Sequence, residues 1–310
     1  MPAVSVGRRI AAVAKNETTY GTAPSLSQTA DAILLYTNMN PVATDTRMID
    51  IVPLRESLTK LKSIVGRQLV RFTGVTFLQG AAAGTPWRFG PLLRACGLKE
   101  TVNAASSVVY DPRSSSFESV AMNFWLDGFK HIVTGAYGTF TMEAAAGEGV
   151  QVTWDVTGLY TEPTVDAIPT QTLETIQPVT FESAAGWIAG QGVIIKSFRF
   201  AMGTVVSERP DANSANALKG LRITDRDPRL DITVEVDTDF RNYFADLNAA
   251  TTHSVSFQLG TASGNRMVLE AGQAQLLSMP YGENAGLRTF DLSYKIQHTT
   301  NDTEVKLTFN

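Results

Sequence analysis

Wherever a run of this chain is long enough to test, apolar positions recur with a period of two, the signature of strands with one buried face. In Val150–Tyr160 the apolar set is Val150, Val152, Trp154, Val156 and Tyr160, and Gln151, Thr153, Asp155 and Thr157 alternate with it. That pattern predicts a half-buried antiparallel strand. Thr139–Glu143 alternates in the same way, and the Ala-Ala-Ala-Gly-Glu-Gly stretch ending at Gly149 predicts the turn between the two, because glycine accepts positive φ. Further strands are predicted over Leu69–Leu78 and Leu230–Val236. Two segments switch to helical spacing: Phe89, Leu92, Leu93 and Cys96 within Pro86–Leu98, and Phe240, Tyr243, Phe244 and Leu247 within Asp239–Ala249. The class is mainly β, with short amphipathic helices on its flanks.

The order strand, helix, strands occurs twice. A displacement of 136 residues lays Thr153-Trp-Asp-Val156 on Thr289-Phe-Asp-Leu292, Tyr160 on Ile296 and Gly135-Ala136 on Ala271-Gly272. At about 100 to 200 residues per domain, 310 residues suit two copies of one β module, each with one short flanking α-helix, with one large β domain as the alternative. The expected boundaries are an N-terminal arm over 1–30, a first module over 31–162, a linker over 163–170 and a second module over 171–310. The linker is read from Pro163 and Pro169 and from the loss of apolar periodicity around them. The arm is read from Thr18-Thr-Tyr-Gly-Thr-Ala-Pro24, which has turn formers and no amphipathic period, and which is expected to order against a neighbour.

Charge modifies this picture. The chain holds 26 Lys and Arg against 30 Asp and Glu, a net charge of -4, which argues against gripping phosphate by charge. The layout is uneven: between His131 and Ile195 there is no Lys or Arg, while Glu143, Glu148, Asp155, Glu162, Asp166, Glu174 and Glu182 are all acidic. Two readings stand, a solvated face lacking lysine and a surface that does not hold nucleic acid. Two segments, Asn38–Lys62 and Ser207–Leu221, are too long and polar for tight turns. Asp45, Arg47, Asp50, Arg55, Glu56 and Lys60 in the first, with Glu208, Arg209, Asp211 and Lys219 in the second, offer both signs to a like subunit, against the alternative of two exposed hairpins. No apolar run reaches the length of a signal peptide core or a membrane span, so a cytoplasmic product with no membrane partner is expected.

Candidate chemistry is sparse. No G-x-G-x-x-G, P-loop or G-x-S-x-G occurs, and one cysteine with three histidines leaves little for a metal site. Asp225 and Asp227, or Asp237 and Asp239, could hold a cation; an N-cap role for Asp237 or Asp239 ahead of Phe240 is the better reading. Cys96 is expected as a buried small hydrophobe. Trp87, Trp125, Trp154 and Trp187 could form the platform of a carbohydrate-binding β-sandwich, but they are scattered over different elements, which favours core positions. No enzymatic activity and no cofactor are expected.

The phrases Glu17-Thr-Thr-Tyr-Gly-Thr-Ala-Pro24, Trp87-Arg-Phe-Gly-Pro-Leu-Leu-Arg-Ala-Cys-Gly97, Ser119-Val-Ala-Met-Asn-Phe-Trp-Leu-Asp-Gly-Phe-Lys-His131, Thr134-Gly-Ala-Tyr-Gly138 and Leu307-Thr-Phe-Asn310 remain. Through them the chain, from about residue 15 to its C-terminus, resembles the major tail tube proteins of long-tailed bacteriophages. The resemblance implies tail-tube-type β-sandwich or barrel modules, each with one short flanking α-helix, in a structural virion protein assembled in the host cytoplasm into stacked rings around a channel for DNA. It also implies an arm and a long loop that reach the next ring, and partners among the tape measure, terminator and baseplate proteins. Two modules per chain make three chains enough for a pseudo-hexameric ring, with six chains as the alternative. On this reading Asp45, Arg47, Asp50, Arg55, Glu56, Lys60, Glu208, Arg209 and Asp211 serve inter-ring contact, and Glu143, Asp155 and Asp291 are lumen candidates. A tail terminator, baseplate ring or secretion-tube homologue is the alternative within the same class.

Overall fold

A computed structural model describes residues 9–173, 175–183, 185–236 and 242–310. In the first half the elements are β1 (Ile10–Asn16), β2 (Tyr36–Ile49), β3 (Ile64–Phe77), α1 (Gly90–Ala95), β4 (Leu98–Asn103), β5 (Ser107–Pro112), β6 (Val120–Leu126), β7 (Phe129–Ala145) and β8 (Gln151–Tyr160). The second half contains β9 (Ile195–Ala201), β10 (Thr204–Pro210), β11 (Leu218–Arg226), β12 (Arg229–Glu235), α2 (Tyr243–Ala249), β13 (Thr252–Leu259), β14 (Met267–Ser278), β15 (Tyr281–Asn284), β16 (Leu287–Gln297) and β17 (Val305–Phe309). The fold is mainly β and all of its strand pairings are antiparallel.

Alternation does what the sequence predicts in β7 and β8. Val152, Trp154 and Val156 are buried, the residues between them are not, and the two strands pair with Phe140 opposite Trp154. The Trp154 indole N–H donates to the buried Thr76 hydroxyl at 2.9 Å, so this large ring is buried without an unmet donor. Both helices are shorter than the apolar spacing suggests. In α1 the face of Phe89, Leu92, Leu93 and Cys96 is buried as expected, and burial pushes the Cys96 thiol pKa up. In α2 the cap is Asn242, whose side chain accepts from the Ala245 N–H at 3.1 Å; Asp237 and Asp239, the expected caps, lie outside the described residues, as do Phe240 and residues 1–8.

In the first half the strands pair in the order β2-β3-β8-β7-β6-β1. In the second the order is β9-β12-β16-β14-β13, followed by the short Trp187–Ile188 strand. The β4–β5 hairpin has no counterpart in the second half among the described residues. The halves meet along strand edges. Thr141–Ala145 of β7 pair with Ser197–Ala201 of β9, and Val108–Tyr110 of β5 pair with Leu307–Phe309 of β17. One hydrophobic core therefore runs through both halves, with Phe140 against Phe200, and Phe309 against Trp87 and Tyr110.

Residues 10–16, read from the sequence as part of an arm, are instead a strand whose Ala11–Ala14 are buried and which pairs along its whole length with β6. The segment after it is tied down by Glu17. Its carboxylate accepts from the Gly21 and Gly135 N–H groups, each at 2.7 Å, and from the Ser119 hydroxyl at 2.6 Å. Tyr20 then stacks on Tyr137 and accepts from the Leu221 N–H at 2.6 Å, reaching the second half. Gly135 has a φ of +58° and a Cβ there would stand 2.8 Å from the Tyr20 ring, so glycine is required twice over, by backbone and by space.

A polar lock, reached from the same strand β11, ties the halves a second time. Arg226 binds Asp302 at 2.6 Å and Glu304 at 2.8 Å, and donates to the Arg113 carbonyl at 2.7 Å, while Ser114 donates to Asp302. Partial burial opposes the charge on Asp302, but the bonds from Ser114 and Arg226 outweigh it and hold the carboxyl below its ordinary pKa of 3.8.

Two outcomes follow from these contacts. Glu17→Ala leaves the buried Gly135 N–H and Ser119 hydroxyl without an acceptor and should cost about 2–3 kcal/mol in urea unfolding; a midpoint within error of wild type would remove the clasp. Asp302 has its pKa depressed on folding, so its contribution is present above the unfolded value and is lost as pH falls towards the folded one. Asp302→Asn should therefore shrink the stability difference between pH 7 and pH 3, and an unchanged difference would refute the assignment.

Candidate functional site: a polar sheet face and two hairpin tips

The strands β3, β8, β7, β9, β12 and β16 form one uninterrupted run of pairings across both halves. Their alternation buries one side and leaves the other polar, except where Leu69, Tyr137 and Leu159 on that second side pack under Leu218, Leu221 and Ile223 of β11. Rows of side chains cross this second face in register: Thr73 opposite Asp155 opposite Thr139, then Gln151, Glu143, Arg199, Asp231 and Ser293, then Thr233 opposite Asp291.

The lumen candidates Glu143, Asp155 and Asp291 all lie on this face, and none of them stands alone. Arg71 of β3 grips Asp155 with two guanidinium nitrogens, one at 2.7 Å, and this contact raises the Arg71 pKa. Arg199 of β9 lies 3.6 Å from Glu143 across the junction. Asp291 accepts from the Thr233 hydroxyl at 2.8 Å, and Asp231 accepts from Ser293 at 2.6 Å. At Asp155 and Glu143 the stretch without Lys or Arg is thus not purely acidic in three dimensions, because β3 and β9, which lie outside it, bring Arg71 and Arg199.

The expected charged loops are two long hairpins. β2 and β3 pair out to Ile49 and Ile64, and β10 and β11 form a separate two-stranded sheet closed by the turn at 211–217. Arg67 lies between the hairpins, 3.4 Å from Asp45 and 2.8 Å from Glu208, so two of the residues read as contacts to a neighbour hold the chain's own hairpins side by side. A groove of about 540 Å³ runs beneath, lined by Asp45, Arg71, Tyr137, Asp155 and Glu208 among others. Asp50 accepts from Ser63, Arg55 donates to the Thr59 carbonyl at 2.8 Å, and Asp211 accepts from the Asn213 N–H and the Ser214 hydroxyl. These groups shape their own turns. Arg47, Glu56, Lys60 and Arg209 are exposed.

Sequence reasoning missed the apolar content of the first tip. Met48, Ile49, Val52, Leu54, Leu58, Leu61, Ile64 and Val65 are all exposed, with Leu54 and Leu58 each at 103%. A cluster of this size at one place on a surface marks a contact with another molecule. The signal was in the sequence, in apolar residues with no period that could bury them between Met48 and Val65.

The remaining candidates have local roles. Asp227 pairs with Arg229 at 2.7 Å and Asp225 accepts from the Arg226 N–H at 2.8 Å. Trp87, Trp125 and Trp154 are buried, whereas Trp187 is exposed on its short strand. Among the described residues no helix is long and apolar enough to cross a membrane.

Comparison with known proteins agrees with the architecture. No curated protein matches the chain. The family described as phage tail tube protein matches residues 7–296, from the strand that joins β6 to the end of the strand that carries Asp291. With nearly its whole length inside that match and a mainly β fold built from long hairpins, the chain belongs to the phage tail tube protein family, a structural component of the virion tail.

Proposed function

We propose that three copies of this chain close into a ring of six modules, that the rings stack into a tube, and that the polar face of the long sheet lines the channel through which DNA passes. Residues 31–162 and 171–310 are read as two copies of one module, because the order of strand pairings repeats between the halves, with a helix between the matching strands each time. The observation that carries the reading is the junction of β7 with β9, which continues one sheet from module to module with the same face polar on both sides of the joint. A sheet that extends itself in this way has its apolar side committed to the core and its other side free to face water.

Glu143, Asp155 and Asp291 are then luminal. Phosphate is held by cations that exchange counterions with it. Here Arg71 and Arg199 are already matched by carboxylates of the same face, and Arg229 by Asp227. Passing DNA meets mainly hydroxyls and matched charges, with the exposed Lys295 opposite Arg229 as the exception, which favours movement over binding.

Stacking is assigned to the hairpin tips. The exposed Val52, Leu54 and Leu58 stand among Arg47, Asp50, Arg55, Glu56 and Lys60, an apolar centre with a charged rim, which is the anatomy of a protein interface. Arg209 and Asp211 at the second tip, beside Glu208, extend the same surface. The tube ends and the channel contents fall to the terminator, baseplate and tape measure proteins of a virion assembled in the host cytoplasm.

Electron microscopy of the purified protein tests the whole reading, with stacked rings or tubes expected. The mass of isolated rings should correspond to three chains; six chains contributing one module each would overturn the stoichiometry. Leu54→Asp combined with Leu58→Asp should leave folded rings that do not stack, and tubes of ordinary length from that variant would remove the first tip from the contact.

A further inference from the structure

We propose that neighbouring copies of the chain join by adding strand to strand, the outer edge of β15 in one copy pairing antiparallel with the outer edge of β2 in the next, in the register of the junction already present inside the chain. The inference rests on the ring reading above and adds which edges meet and how they align.

The internal junction supplies the template. There Thr141, Met142 and Glu143 face Ala201, Phe200 and Arg199. The matching stretch in the second half is found through pairing partners. Thr73 lies opposite Asp155 and Thr233 opposite Asp291, which superimposes β8 on β16. On that alignment Thr141, Met142 and Glu143, which pair with Thr153, Val152 and Gln151, correspond to Gly282, Glu283 and Asn284, which pair with Thr289, Arg288 and Leu287. By the same alignment Arg199, Phe200 and Ala201, opposite Asp231, Leu230 and Arg229, correspond to Ala43, Thr44 and Asp45, opposite Arg71, Val70 and Leu69. The contact between copies therefore sets Ala43 against Asn284, Thr44 against Glu283 and Asp45 against Gly282. Pro41, which has no N–H to donate, falls outside this register.

Three further observations fit. Among the described residues, neither the outer edge of β2 nor that of β15 has a strand partner, and bare edges are templates for another chain. The turn at Ala285 and Gly286, with φ of +51° and +83°, makes a two-residue hairpin of β15 and β16. In such a hairpin the closing pair is hydrogen-bonded and pairs alternate, so the backbone groups of Tyr281 and Glu283 point away from β16, towards the open edge. Finally, Tyr281 occupies the position of Phe140. Phe140 is 1% exposed, packed against Phe200 across the internal junction, whereas Tyr281 is 60% exposed, with Phe244 exposed beside it. The second half presents uncovered the surface that the first half has covered. Because the two edges differ, the contact is head to tail, and such contacts make closed rings when the rotation closes.

The test mixes two full-length variants, Thr44→Cys and Glu283→Cys, each carrying one new thiol; Cys96 is fully buried and is left in place. Oxidation of mixed, assembled rings should give a disulfide between one chain of each kind on a non-reducing gel, and neither variant alone should give it. Glu283→Pro, which removes an outward N–H, should melt cooperatively as a monomer without forming rings, while Glu283→Ala forms them. Rings of wild type with no mixed disulfide would overturn the edge contact and leave the tube reading standing, and ring formation by Glu283→Pro at wild-type yield would do the same. Should Glu283→Pro not fold, the disulfide alone decides. A wild-type protein that forms neither rings nor tubes would overturn both.

Discussion

The edge of β7 at Thr141–Ala145 accepts Ser197–Ala201 as its next strand, and the architecture follows from that pairing. An unpaired strand edge inside a protein leaves a row of N–H and C=O groups without partners, so joining two edges satisfies both at once. It also brings Phe200 against Phe140 and Arg199 beside Glu143, which joins the cores beneath the sheet and matches charge above it. A chain built of two similar halves becomes one body because the contact between them is itself a piece of sheet.

Several residues of the phrases that resemble tail tube proteins hold distant parts of the chain together. Glu17 and Tyr20 tie the start of the chain to Ser119, Gly135 and, in the other half, Leu221. Trp87 and Tyr110 receive Phe309, so the last strand closes onto the first half. Arg226 binds Asp302 in the turn before that strand and donates to the Arg113 carbonyl of the first half. Each of these contacts links segments more than 70 residues apart, apart from Glu17 with Gly21 on its own turn. They act at the joint rather than at any reactive centre, and the named residues are those for which size, φ or hydrogen-bonding capacity permits little exchange.

Charge shows how far a count along the chain can mislead. From His131 to Ile195 the sequence is acidic without a single Lys or Arg. In the sheet, β8 lies between β3 and β7, and β7 lies between β8 and β9, so Asp155 meets Arg71 and Glu143 meets Arg199. Surface pairs of this kind contribute little to stability, roughly 0–1 kcal/mol each. On the proposed channel reading their larger effect is on what a passing polyanion encounters, since a cation already matched by a carboxylate has little to offer a phosphate.

What the sequence determined by itself was local. Period-two alternation placed β8 and the end of β7, apolar spacing placed α1 and its buried face, and the 136-residue displacement matched β8 with β16. The same displacement set Gly135-Ala136 against Ala271-Gly272, whereas pairing partners align Val133 and Thr134, opposite Tyr160 and Leu159, with Ala274 and Gln275, opposite Ile296 and Lys295; seven residues separate Glu143 from Gln151 in the first hairpin but two separate Asn284 from Leu287 in the second, a difference of five that a fixed offset cannot follow. The first strand was missed because Ile10–Asn16 owes its burial to β6, more than 100 residues away, and has no alternation of its own. Candidate lumen residues were legible as members of one face, since alternation is a property of the backbone. Which residues neutralise them, which charged groups serve their own turns, and which edges stay open depended on the order in which strands lie side by side, and that order is decided by long-range pairing and shared burial, which only the tertiary structure contains.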